Sequence, residues 1–295
     1  MPAPWAAVGV PIDSVGRSGG TELAPDAVRE RDLLARLGAE DRGDLDVRVH
    51  GDERDPATGV IGIEGVLATT RAVRAAVRDI LQDGARPLVL GGCCTLVPGA
   101  LAGMRDAIGA VNVAYVDGHV DVYDGVTSPT GEGADMPMGV AFGLGPAPWV
   151  QAAGGPSVAP ADVVVLGARD PEEAGDVAGL LADTLADLEV LGPDELHEQG
   201  LVAAGARTAE GLARDGGRFW VHLDVDVLDE RAMPATDYLM PGGLEWDELA
   251  ALLGPLGASS ALAGLSLGCV NPEKDPDGSW TDRTCALLAG ALGPT

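Results

Sequence analysis

Aromatic residues, lysine and long apolar runs are all scarce in this chain. Two Phe, three Tyr and five Trp among 295 residues leave the core to be built from Ala, Val and Leu. Lys274 is the only lysine, while arginine is plentiful; that bias reads as source composition and carries no functional weight. No stretch approaches the ~20 consecutive apolar residues of a membrane-spanning helix. Met1 leads directly into a strand-like run, without the charged and apolar regions of a signal peptide, so a cytoplasmic location is expected. Four cysteines, Cys93, Cys94, Cys269 and Cys285, make no disulfide framework in a chain this long and are read as reduced thiols. Positive charge is short as well. The formal net charge is −27, which argues against nucleic acid or anionic membrane as a partner.

Apolar strand-like runs recur at residues 5–10, 87–90, 111–116, 162–168, 187–191, 219–223 and 262–267. Between them lie Ala/Leu/Arg stretches with helical spacing, such as Val66 to Leu81 and Val202 to Arg214. Repeated strand–helix–strand order predicts an α/β fold whose parallel sheet is covered on both faces. No linker or internal repeat stands out. The longest punctuated piece, Val122 to Pro148, is rich in Gly, Pro, Thr and Asp. A long structureless loop in a compact domain is usually functional or disordered, and its position favours an active-site wall.

Two short stretches concentrate the chemistry. Asp117-Gly118-His119-Val120-Asp121 follows the run 111–116, and Asp224-Val225-Asp226 follows 219–223. In an open parallel sheet, ligands collect beyond the carboxyl ends of the strands, so neighbouring strands would pool these five side chains in one crevice. Carboxylates held that close repel, and either one takes up a proton or a cation sits between them. Asp is also common where strands turn, but two such clusters together with His119 favour metal. Carboxylates that bridge two ions roughly 3.5–4 Å apart serve hydrolysis, so a two-metal hydrolase is the expectation.

A third strand, Pro87 to Leu90, ends in Gly91-Gly92-Cys93-Cys94-Thr95. Glycines there let the backbone turn beside a site, and a thiol at 94 is either a metal ligand or a buried space-filler. Cys93 and Cys285 are assigned to packing. His222, inside a strand, reads as a satisfied core histidine; His50 and His197, in polar surroundings, read as surface residues.

Together these motifs resemble the arginase or ureohydrolase superfamily, whose Gly-Gly-Asp-His-Ser, Asp-Ala-His-x-Asp and Asp-x-Asp motifs each stand at a strand end. The resemblance runs along nearly the whole chain. It includes Gly19 to Pro25, Asp41 to Leu45, and Asp224 to Asp229 followed by Met233-Pro234-Ala235-Thr236 and Pro241-Gly242-Gly243-Leu244. It implies one domain over residues 1–295, with a three-layer α/β/α arginase-like fold around a central, mostly parallel sheet of about eight strands. It implies two Mn²⁺ ions, bridged by Asp117 and Asp224. Asp121 would hold the first, and His119 and Asp226 the second. Cys94 falls where the family has its remaining histidine ligand; a soft thiolate is an unusual partner for manganese. The implied chemistry is hydroxide attack on a guanidino carbon, with Asp121 relaying a proton to the leaving nitrogen.

The resemblance also bears on the substrate. Asp170 and Glu173, in Asp170-Pro171-Glu172-Glu173, match a stretch that meets a substrate α-amino group in arginases, and Thr130 stands where a hydroxyl meets the α-carboxylate. Acidic residues there also suit the first turn of a helix. Two departures point away from ordinary arginase activity. Ala134 replaces the proton-shuttle histidine, and Cys269, before Val270-Asn271-Pro272, replaces the glutamate that steers the guanidinium. With Cys94, this pattern resembles the Nω-hydroxy-L-arginine hydrolases of the D-cycloserine pathway, a ureohydrolase branch, and implies L-ornithine and hydroxyurea as products. Alternatives are hydrolysis of L-arginine, agmatine, guanidinobutyrate or formiminoglutamate, or a noncatalytic metal-binding homologue. The expected partner is a small guanidino amino acid, with the chain a monomer or homo-oligomer.

Overall fold

The computed structural model describes residues 3–16, 19–170 and 186–293. Eight strands are present: β1 (Trp5–Val10), β2 (Glu40–Asp44), β3 (Arg86–Gly91), β4 (Asn112–Val116), β5 (Val163–Leu166), β6 (Glu189–Leu191), β7 (Phe219–Asp224) and β8 (Leu262–Gly268). They form one sheet in the order β2-β1-β3-β8-β7-β4-β5-β6, and every described pairing is parallel. Helices cover both faces. The inner strands β1, β3, β7 and β8 are buried along their whole length, which is why they read as continuous apolar runs and not as alternating ones.

The helix Ile63–Gln82 covers the predicted 66–81 and buries Val66, Leu67, Val73, Val77 and Ile80 at helical spacing. The helix Leu201–Leu212 answers the predicted 202–214. Among the described residues no helix is long and apolar enough to cross a membrane.

Two elements differ from the sequence reading. Strand β2 is Glu-Asp-Arg-Gly-Asp and mostly exposed, so it carries no apolar signal. It is an edge strand defined by its ladder to β1, and its charges suit an edge that must not pair further. The piece 122–148 is not structureless. Pro137 and Gly143 are there the start and the left-handed cap of a helix, Pro137–Phe142, whose residues are all buried.

The strand order places the site. Between β3 and β4, consecutive in the chain, the sheet inserts β8 and β7. The carboxyl ends of these four central strands bring residues 92–94, 269, 225–226 and 117–121 to one crevice, the location expected where a parallel sheet's strand order breaks.

Candidate active site

Strands β4 and β7 are paired with Val116 opposite Leu223, so Asp117 and Asp224 follow side by side. Backbone amides fix the carboxylates. Asp117 Oδ1 accepts from the His119 N–H at 2.7 Å, Asp224 Oδ1 from the Asp226 N–H at 2.9 Å, and Asp226 Oδ1 from the Gly118 N–H at 3.1 Å. The approach at Gly118 is close: a Cβ there would lie 2.9 Å from both the carbonyl and the carboxylate of Asp226. Arg169, following β5, donates to the carbonyls of Asp226 and Val227 at 2.7 and 3.0 Å and ties a third strand end to the same loop.

Potential ligand atoms converge in two groups. Cys94, Asp117, His222 and Asp224 form one, and Asp117, His119 and Asp226 the other; within each group the atoms all lie within 4.8 Å of one another. Asp117 belongs to both. His119 Nδ1 lies 3.1 Å from Asp226 Oδ2 and 3.6 Å from Asp117 Oδ1, and Cys94 Sγ lies 2.6 Å from Asp224 Oδ2. Asp121 stands outside both groups. Its Oδ2 accepts from the Tyr115 hydroxyl at 2.5 Å, and it adopts a left-handed backbone, φ 55°.

The electrostatics are those of an acidic cluster short of positive charge. Burial, followed by repulsion from Asp226, pushes the Asp117 carboxyl up to about 7. Asp121 and Asp224 are raised well above the usual carboxylate range, first by burial and then by neighbouring carboxylates. Burial acts the same way on Asp226, yet His119 overrides it and holds that carboxyl low. Burial opposes a charged His119, but Asp226 and Asp117 pull its imidazole far above its ordinary value. One imidazolium does not balance four buried carboxylates. A donor set of carboxylates, one imidazole and one thiol, split into two groups with a shared member, fits a pair of divalent cations.

The pocket above this floor is lined by Cys94, His119, Asp121, Tyr123, Ala134, Asp135, Asp170, Asp224, Asp226, Tyr238 and Cys269. Tyr123, Ala134 and Asp135 come from the piece expected to form a wall, and they do form one. Cys269 sits at φ 64°, with its Sγ 3.6 Å from that of Cys94. Non-glycine residues with positive φ are uncommon and gather at functional sites; two of the four described here, Asp121 and Cys269, line this pocket. Asp170 accepts from the Val120 N–H at 3.1 Å, while its buried Oδ2 has no hydrogen-bond partner. Thr130 is not among the lining residues. Its hydroxyl donates to Asp135 Oδ2 at 2.6 Å, so it braces the wall. Glu173 lies outside the described residues.

Cys93 and Cys285 are buried, and His50 and His197 are exposed, as expected. His222 is both satisfied and more than a core residue. Its Nδ1 lies 2.8 Å from Ser266 Oγ, and its Nε2 lies 3.2 Å from Cys94 Sγ. Tyr115, His222 and Tyr238 are site residues that motif reading missed. Strand periodicity carries the signal for two of them: side chains at i and i+2 share a face, which puts Tyr115 beneath Asp117 and His222 beneath Asp224.

Comparison with known proteins agrees with this geometry. The description "Arginase family" matches residues 3–292. The arginase of Bacillus caldovelox is 28% identical over 98% of this chain and 98% of its own, and that of Brevibacillus brevis 28% over 97% and 96%. The crystal structure of the Bacillus caldovelox arginase superposes with a TM-score of 0.90 at 25% identity, covering 100% of this chain and 99% of that one. Matched along almost its entire length, the chain belongs to the arginase family, ureohydrolases that cleave the C–N bonds of amidines.

Proposed function

We propose that the chain is a two-manganese hydrolase of an N-hydroxyguanidino amino acid, converting Nω-hydroxy-L-arginine and water to L-ornithine and hydroxyurea. The observation that carries the substrate is the pocket wall. Cys269 and Ala134 line it at the two positions where the family resemblance implies a guanidinium-steering glutamate and a shuttle histidine. A guanidinium is cationic at neutral pH and calls for a carboxylate. An N-hydroxyguanidine is far less basic, arrives neutral and brings its own hydroxyl, so a wall without those two groups suits it better.

In this reading Cys94, Asp117 and Asp224 would hold one ion and Asp117, His119, Asp224 and Asp226 the other, with Asp121 joining the first as the family resemblance implies. Bound there, two such ions would supply a hydroxide near neutral pH and polarise the guanidino group. Asp121 is the proton carrier. The Tyr115 hydroxyl, donating to its Oδ2, orients the carboxylate, which would take a proton from the attacking oxygen and deliver it to the departing nitrogen of ornithine. The unpartnered Oδ2 of Asp170, buried in the pocket wall, is the acceptor for the substrate α-amino group, since a buried carboxylate oxygen without a partner is costly unless a ligand supplies one. Tyr238 lines the same pocket, its hydroxyl donating to Glu132 at 2.6 Å and its ring nearly perpendicular to that of His119, 6.0 Å between centroids.

The test incubates the Mn²⁺-loaded protein separately with Nω-hydroxy-L-arginine, L-arginine and agmatine and identifies products by mass spectrometry. Ornithine and hydroxyurea from the first, with little turnover of the others, is the expected result. Comparable turnover of L-arginine and its N-hydroxy derivative overturns the proposal.

A further inference from the structure

A row of polar side chains crosses the sheet one layer beneath the acidic cluster. The register sets Tyr115 of β4 opposite His222 of β7, and His222 opposite Ser266 of β8. All three are fully buried. Trp220 Nε1 lies 2.9 Å from Ser266 Oγ, Ser266 Oγ lies 2.8 Å from His222 Nδ1, and His222 Nε2 lies 3.2 Å from Cys94 Sγ. The Tyr115 ring stacks on the imidazole at 4.9 Å between centroids and fixes its plane.

The donors and acceptors in this row fit together in one way. An indole N–H can only donate, so Ser266 Oγ accepts from Trp220. The serine's own proton then goes to its other described partner, His222 Nδ1. A bare Nδ1 places the imidazole proton on Nε2, aimed at Cys94. The opposite tautomer would leave the serine proton unpaired in a fully buried position, a cost that folded proteins avoid.

We infer that His222 is a positioning residue for Cys94, donating an Nε2–H hydrogen bond to the thiolate and holding no metal ion itself. The inference rests on the proposed role of Cys94 as a ligand. Partners one shell out commonly orient a metal's ligands and tune their donor strength. An N–H bond to sulfur draws electron density from the thiolate, which makes it a harder ligand and fits it to a site otherwise built of carboxylates and imidazole. It also fixes the direction of Sγ at the junction of β3, β8 and β7.

The test uses Co²⁺-loaded protein, in which a thiolate ligand gives a near-ultraviolet sulfur-to-cobalt charge-transfer band. His222→Phe keeps the ring and removes the donor; His222→Gln keeps an N–H near the position of Nε2. The expected results are a shift of the band to longer wavelength in His222→Phe, return toward the wild-type position in His222→Gln, and retention of both ions in each. An unmoved band in His222→Phe overturns the inference. Loss of one ion in that variant also overturns it, by making His222 a ligand. Absence of the band from the wild-type protein overturns the ligand role of Cys94 and the inference with it. A measurement on the wild-type chain alone guards against a variant that does not fold. Long-range ¹⁵N–¹H correlation of the Zn²⁺-loaded protein, which has four histidines to assign, should show His222 protonated on Nε2; protonation on Nδ1 contradicts the inference.

Discussion

Replacing Tyr115 with Phe isolates the orientation of Asp121. Tyr115 is fully buried, and its hydroxyl donates to Asp121 Oδ2 at 2.5 Å. Phe keeps the ring that stacks on His222 and the packing of β4, so the substitution removes one hydrogen bond and little else. A hydrogen bond to a charged group is worth about 1.5–3 kcal/mol. If that energy holds Asp121 in place for proton transfer, kcat falls by about 10- to 150-fold at ~1.4 kcal/mol per decade. Tyr115 does not line the pocket, so KM should hold. Steady-state kinetics at matched metal content, with a melting curve to show the variant is folded, give both numbers. A folded, fully metallated Tyr115→Phe with kcat within about threefold of wild type would refute the reasoning, because the bond would then contribute well under 1 kcal/mol to the reaction.

Three further predictions concern the metal floor and its supports. Chelator-stripped protein should lose thermal stability as pH rises from about 4 to 7: burial and Asp226 raise Asp117 from 3.8 to about 7, so the folded form keeps a proton the unfolded chain has released, and stability present below the ordinary value is lost through the folded one. Scanning fluorimetry across that range should show the slope, and Mn²⁺ should abolish it; a flat or rising curve without metal contradicts the electrostatic account. Cys94→Ser should weaken one of the two ions and spare the other, read as about one metal per chain after gel filtration against two for wild type; two tightly held ions would remove Cys94 from the ligand set. Gly92→Ala would place a Cβ 1.7 Å from the carbonyl oxygen of Ile12, a backbone clash that should cost about 1–3 kcal/mol in denaturant unfolding and displace Cys94; wild-type stability would show that the loop has room to move.

The inner strands were legible because both of their faces are covered and most of their residues are apolar, and the clusters at 117–121 and 224–226 were legible because so many metal-type ligands together at strand ends are rare without a cause. Strand β2 was hidden because its residues are charged and only its ladder to β1 defines it. His222 is the satisfied core histidine the sequence suggests, but its contact with Cys94 was hidden for a different reason. Inside an apolar run, a single histidine gives no local sign of what it faces, and its contact with Cys94 spans 128 positions of sequence. Its place on the same strand face as Asp224 was a usable clue, as was Tyr115 on the face of Asp117. Tyr238 follows the Asp-x-Asp signature by a dozen residues in an irregular stretch, where neither strand nor helix periodicity predicts direction; only the folded chain puts it against His119.

The central claim is a two-ion site with a thiolate in it, and anomalous diffraction from Mn²⁺-loaded crystals tests it most directly. Two peaks are predicted, with Asp117 touching both and Cys94 Sγ bonded to one. A single peak, or two peaks with Cys94 bonded to neither, would contradict it.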